Sequence, residues 1–139
     1  VQAYFRRLTS TDAAVRQAAA RAWSTWEGAT SKLIPDAQMI AHYGSDRFAE
    51  AFARIECHYF VNRGFLPTDN YLIEQVDALR HIPCVIVHGR YDVVCPVQNA
   101  WDLHQVWPEA KLVITPGSGH SAMEAENVSA LVEATDSFR

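Results

Sequence analysis

No stretch of the sequence approaches the roughly 20 consecutive apolar residues that a helix needs to cross a bilayer, so no membrane-spanning segment is expected. Blocks of like charge are missing too: 12 Lys and Arg and 16 Asp and Glu are scattered along the chain, for a formal net charge of -4. A nucleic-acid or anionic-membrane footprint requires clustered basic residues. Neither kind of partner is expected, while small neutral or cationic ones remain open. Cysteine is scarce, and the three present, Cys57, Cys84 and Cys95, are odd in number and spaced like neither a zinc knuckle nor a CxxC motif. They read as reduced thiols in a cytoplasmic protein. HExxH and comparable ligand spacings are absent, and no metal or other cofactor is expected. There is no initiator methionine, and no basic segment leads into an apolar one at the start. The expectation is a piece of a longer protein.

What is present suffices for a core: 49% of the 139 residues are hydrophobic and 20% charged. The pattern changes near His81, which divides the chain into a helical segment, 1–80, and an α/β segment, 81–139. In the first, TDAAVRQAAARAWSTWE is rich in alanine, the best helix former, with Ser10 or Thr11 as the expected cap. A second helix is predicted in SDRFAEAFARIECHYFVN, where Phe48, Phe52, Ile55 and Tyr59 recur at helical spacing and make one apolar face. Gly64 is its expected stop, and a shorter helix is predicted in NYLIEQVDAL.

The second segment reads strand, loop, helix, strand, loop, helix. CVIVH and LVIT are short, continuous and β-branched, as in parallel strands buried on both faces, and VQNAWDLHQVWP between them is the crossover helix. Two strands leave open edges and uncovered faces, so further strands are expected before Val1. Open edges also make a homo-oligomer an expectation.

In such sheets, functional groups collect in loops beyond the carboxyl ends of strands. The first loop, HGRYDVVCP, carries Asp92, and the second, TPGSGHSAM, carries His120 after two glycines that permit tight turns. An acid in one such loop and a histidine in the next is the back half of the Ser, Asp, His order of α/β-hydrolases. A neutral imidazole is a base near pH 7, and a carboxylate on its other nitrogen fixes the tautomer and stabilises the imidazolium. Read singly, each residue is as well explained by a turn; the joint pattern favours catalysis. His88 competes for the role, but it precedes the glycine and is expected to point into the sheet layer. His42, His58, His81 and His104 have no carboxylate at matching spacing. The G-x-S-x-G nucleophile motif is missing: Ser118 stands in the histidine loop, and Ser24, Ser31 and Ser45 lack a strand-turn-helix context. This chain alone is expected not to turn over substrate.

The segments AWSTWEG, AFARIECHYFVNRGFL, IPCVIVHGRYDVVCPVQNAWDL, WPEAKLVITPGSGHSAMEAE and LVEATDSF resemble the proline iminopeptidases of the α/β-hydrolase superfamily over nearly the whole chain. The resemblance implies the C-terminal part of an α/β-hydrolase fold, preceded by a helical cap over the active site. It implies a serine-type exopeptidase that releases N-terminal proline from peptides, with Asp92 and His120 as triad members and the serine upstream. It also implies that Glu27 and Glu56 bind the substrate's amino group. For Glu56 the residues agree, since Phe52, Ala53, Tyr59 and Phe60 surround it at helical spacing; a structural ion pair with Arg54 or Arg63 is the other reading. Glu27 has mixed neighbours, Trp23, Ser24, Thr30 and Ser31. Trp23, Trp26, Phe52, Tyr59 and Phe60 are candidates for a proline pocket, or else plain core. Cys95 is expected close to the site and open to bulky thiol reagents, or else buried and inert. Two other functions stay open: another α/β-hydrolase, such as an esterase or epoxide hydrolase, and a non-catalytic module that completes its sheet with another chain.

Overall fold

Helix α1 (Gln2–Leu8) leads into the longest element, α2 (Ala13–Thr30), in a computed structural model that describes residues 1–139. The cap of α2 is neither Ser10 nor Thr11. Asp12 directly precedes the helix and its carboxylate accepts from Ala14 N–H at 2.8 Å, while Ser10 Oγ accepts from Asp12 N–H at 3.1 Å. Helices α3 (Ala37–Tyr43) and α4 (Asp46–Val61) follow, α3 being capped by Asp36 through two amides.

The face of α4 that packs is not the predicted one. Ala49, Ala53 and Cys57, spaced by four, are its buried residues, and they join Leu8, Ala19 and Ala20 in one core. Small side chains let α2 and α4 approach until Ser24 Oγ donates to the carbonyl of Ala49 at 3.1 Å. The aromatic stripe faces elsewhere: Phe48 and Phe52 are half-buried, with ring centroids 5.3 Å apart, while Ile55 is 62% and Tyr59 52% exposed. Hydrophobic periodicity identifies an apolar face but not which face meets a neighbouring helix. Beyond α4, Arg63, Gly64 and Phe65 all take positive φ (53°, 63° and 60°). The expected glycine stop is therefore a left-handed turn in which only the glycine sits without steric cost.

The second unit holds α5 (Tyr71–Glu74), β1 (Val85–Gly89), α6 (Val97–Val106), β2 (Lys111–Thr115) and α7 (Ala125–Asp136). The strands pair in parallel, Val85 opposite Lys111 through Gly89 opposite Thr115, and α6 and α7 each contact both. Expected as fully buried, the strands are mostly half-buried, because a two-stranded sheet has too few neighbours to close both faces.

Two compact units emerge: Val1–Ala29 with Pro35–Asp69, and Thr30–Ile34 with Asn70–Arg139. The division therefore differs from the 1–80 and 81–139 read from the sequence pattern. Residues 71–74 and 76–78 are helical, yet 70–80 belong to the α/β unit: Val76 is buried with Trp107 and Ala110, and Arg80 donates to Val106 O at 2.5 Å and Glu109 at 2.8 Å. The segment Thr30–Ile34 also joins the second unit. No helix is long and apolar enough to cross a membrane.

The buried alanine seam sets a measurable asymmetry. Ala53→Leu should destabilise this chain by about 1–3 kcal/mol through overpacking, whereas Ile55→Ala should stay within about 0.5 kcal/mol; urea unfolding midpoints check both.

Candidate active site

The carboxyl ends of β1 and β2 lie side by side, so the loops that leave them meet. Arg90 N–H donates to Thr115 O and Tyr91 N–H to Ser118 O, both at 3.0 Å. The contact is close enough to exclude a side chain at Gly89, where a Cβ would lie 2.0 Å from the carbonyl oxygen of Gly119. Asp92 and His120 are thereby brought together, with His120 Nδ1 2.9 Å from Asp92 Oδ2.

The hydrogen bonds settle the proton's place. Asp92 Oδ1 accepts from Val94 N–H at 2.9 Å and Cys95 N–H at 2.8 Å, which leaves Oδ2 for the imidazole. A carboxylate only accepts, so the shared proton sits on Nδ1, and the neutral imidazole held this way has its lone pair on Nε2. The Asp92 side chain is 5% exposed and that of His120 39%. A buried acid that orients a solvent-reachable imidazole is the arrangement of a general base held in one tautomer.

His88, expected to point into the sheet layer, reaches the loop of Asp92. Its Nε2 lies 2.9 Å from the carbonyl of Cys95 and 3.5 Å from Asp92 Oδ2. A carbonyl cannot donate, so His88 Nε2 carries a proton and braces the acid's loop instead of serving as a base through that nitrogen. Cys95 is exposed, which overturns the buried reading of its thiol, and it lines a hollow of about 260 Å³ with Asp92, His120, His88 and Asn127. None of the three cysteines forms a disulfide, and burial pushes the Cys57 thiol above its ordinary value. Ser118 is buried, which fits its reading as a loop residue.

The other expected site residues lie in the first unit. Glu56 accepts from the Trp23 indole N–H at 2.6 Å. The ion pairs offered as its other reading do not form: Arg54 pairs with Glu50 at 3.4 Å and Arg63 with Asp69 at 3.9 Å. Glu27 is only 8% exposed and lines a cavity of about 480 Å³ with Tyr4, Trp23, Trp26 and Phe60. Trp23 ties the two acids together, since it borders that cavity and holds Glu56. Phe52 and Tyr59 line other surfaces: Phe52 stacks on Phe48 beside Tyr43, and Tyr59 meets Phe65 edge-on at 5.7 Å. Tyr4, across the cavity, was not singled out from the sequence, because its approach to Trp23 (5.2 Å) is a contact between helices. Asn127 and Glu124, which grip the histidine loop, were missed likewise, although GHSAMEAEN sets both just after His120. No three His, Cys, Asp or Glu side chains converge as metal ligands.

A family model described as TAP-like protein, of the Abhydrolase_4 type, matches residues 41–138. A protein named proline iminopeptidase from Xylella fastidiosa (strain 9a5c) is 62% identical over 138 residues, covering 99% of this chain and 44% of that protein. One named probable proline iminopeptidase, from Leptolyngbya boryana, is 57% identical over 138 residues, with 99% and 43% covered. A proline iminopeptidase of Arabidopsis thaliana is 50% identical over 139 residues, with 100% and 37% covered. The chain spans less than half the length of these curated relatives.

Two outcomes follow from the geometry. Gly89→Ala should force the two loops apart and cost about 1–3 kcal/mol of stability, read from chemical unfolding. An aromatic disulfide reagent at neutral pH should label Cys95 in the native protein and Cys57 only after unfolding, as mapped by mass spectrometry.

Proposed function

The chain belongs to the TAP-like family of α/β-hydrolases, and on that premise we propose that it is part of a serine peptidase that releases proline from the amino terminus of peptides. The observation that carries the reading is the 2.9 Å bond between His120 Nδ1 and a buried Asp92 carboxylate. The names of the relatives supply the substrate class. His120 Nε2 takes the proton of a serine hydroxyl supplied from outside these 139 residues, and the serine attacks the carbonyl of the terminal proline. Asp92 stabilises the imidazolium that forms. His120 then returns the proton to the departing amine, and water releases proline by the reverse sequence. The reaction needs no cofactor.

Glu27 and Glu56 supply the negative charge that recognises a protonated amino terminus. Burying carboxylates among aromatic rings costs several kcal/mol unless a cation or hydrogen bonds compensate. The Trp23 indole offsets part of that cost at Glu56, and the substrate's ammonium supplies the rest. An internal peptide bond offers no such cation, so the enzyme cleaves at the terminus alone. We place the protein in the cytoplasm, a compartment in which thiols stay reduced.

Hydrolysis of a proline arylamide by the full-length protein tests this reading. Asp92→Asn should lower kcat by about 10⁴-fold, because the wrong tautomer is held. Glu56→Gln should reduce kcat/KM for the arylamide by at least about tenfold and leave simple ester hydrolysis unchanged. An arylamide activity indifferent to Glu56→Gln would remove amine recognition from the reading, and ester cleavage without any arylamide cleavage would point to an esterase.

A further inference from the structure

Every backbone polar group of the two residues that flank His120 is engaged. Gly119 N–H donates to Glu124 Oε1 at 2.7 Å, and its carbonyl accepts from Asn127 Nδ2 at 3.3 Å. Ser121 N–H donates to the carbonyl of Ser31 at 2.7 Å, and its own carbonyl accepts from the same Asn127 amide at 2.9 Å. Asn127 is buried, with its orientation set by the Thr115 hydroxyl at 2.5 Å. A loop containing two glycines would otherwise be among the softest parts of the chain.

Glu124 does something more. Its second oxygen, Oε2, accepts from Leu33 N–H at 3.1 Å, across a sequence separation of 91. One carboxylate thus bridges the amide next to His120 and a strap, residues 31–33, whose Ser31 also holds Ser121. The strap lies against Gly119, where a Cβ would come 2.9 Å from Leu33 N and 3.2 Å from Glu124 Oε1. Glu124 occupies the capping position of α7, yet its side chain makes no capping bond there. A residue of that type ordinarily satisfies its own helix. Here the carboxylate is committed to the histidine loop, and the amino end of α7 still favours its charge. Only a carboxylate accepts from two N–H donors with both of its ends, and bonds to an ionised acceptor are the stronger kind.

We propose that Glu124 is a positioning residue for His120, which clamps Gly119 to the 31–33 strap and so fixes the imidazole against Asp92. The proposal rests on the reading of His120 as the base. Without the clamp, Gly119 loses its N–H partner and Leu33 N–H loses its carboxylate acceptor, so the imidazole samples positions off the line of proton transfer. A displacement of about 1 Å at such a group is enough for a hundredfold loss of rate.

The test uses the full-length protein with Glu124→Gln, which is isosteric and keeps one acceptor, and Glu124→Ala, which keeps none. For the proline arylamide, kcat should fall about tenfold in the first and about a hundredfold in the second, with KM within about threefold. In parallel, proton NMR should show the Nδ1 proton shared with Asp92, assigned by its loss in His120→Ala, broadened or shifted in Glu124→Gln. Thermal midpoints establish that each variant is folded at the assay temperature. An unchanged kcat and an unchanged Nδ1 resonance in Glu124→Gln, or a loss that merely follows the folded fraction, would overturn the proposal. Should the arylamide not be cleaved at all, the peptidase reading fails by itself. The Nδ1 resonance, and any ester hydrolysis that His120→Ala abolishes, then still decide the role of Glu124.

Discussion

The pairing of Gly89 with Thr115 at the carboxyl end of two parallel strands is the constraint on which the candidate site depends. Parallel register makes both strands end at the same level, and a glycine at the end of the first lets the backbone of the second loop settle against it. Any side chain there would occupy the space of the Gly119 carbonyl. From this one approach follow the hydrogen bonds of Arg90 and Tyr91 to the opposite loop and the meeting of Asp92 with His120. The geometry of the candidate site is thus a consequence of strand register, carried outward by a few main-chain bonds.

Carboxylates stabilise these loops by accepting main-chain N–H groups that no strand or helix satisfies. Asp92 takes two amides of its own turn, Glu124 takes one from each of two segments, and Glu126 takes Gly117 N–H at 2.7 Å. Buried amides without partners are costly, and an ionised acceptor compensates better than a neutral one. For Asp92 the arrangement has a second effect. With Oδ1 occupied by amides, only Oδ2 is left for His120, which fixes the direction of the imidazole as well as its tautomer. Stability and chemistry use the same atoms.

The first unit is built on a different principle. Its helices approach along alanine, serine and cysteine positions, which sends the large aromatic side chains to the margins. Two acids sit in this aromatic setting, Glu56 held by the Trp23 indole and Glu27 in the wall of the neighbouring cavity. Carboxylates placed among rings are poorly solvated, and poorly solvated anions favour a cation that arrives with its own apolar body. The amino terminus of the substrate proposed above has that chemistry.

The sequence by itself determined the two long helices of the first unit but not the short α1 and α3, together with the two strands and their crossover helix, and the acid and histidine in successive strand-end loops. Each of these rests on local chemistry: β-branched runs, helix formers, and glycines that permit turns. Family resemblance added Glu27 and Glu56, whose isolated neighbourhoods left other readings open. Tertiary structure decided what depends on contacts between distant segments. It selected Ala49, Ala53 and Cys57 over the Phe48 to Tyr59 stripe as the buried face of α4, since both faces are apolar and only the approach of α1 and α2 distinguishes them. It assigned residues 70–80 to the α/β unit, gave Glu56 to Trp23 instead of an arginine, and turned His88 toward the loop of Asp92. It also brought Glu124 and residues 31–33 together beside one glycine, because hydrogen bonds between segments so far apart in sequence leave no periodicity along it.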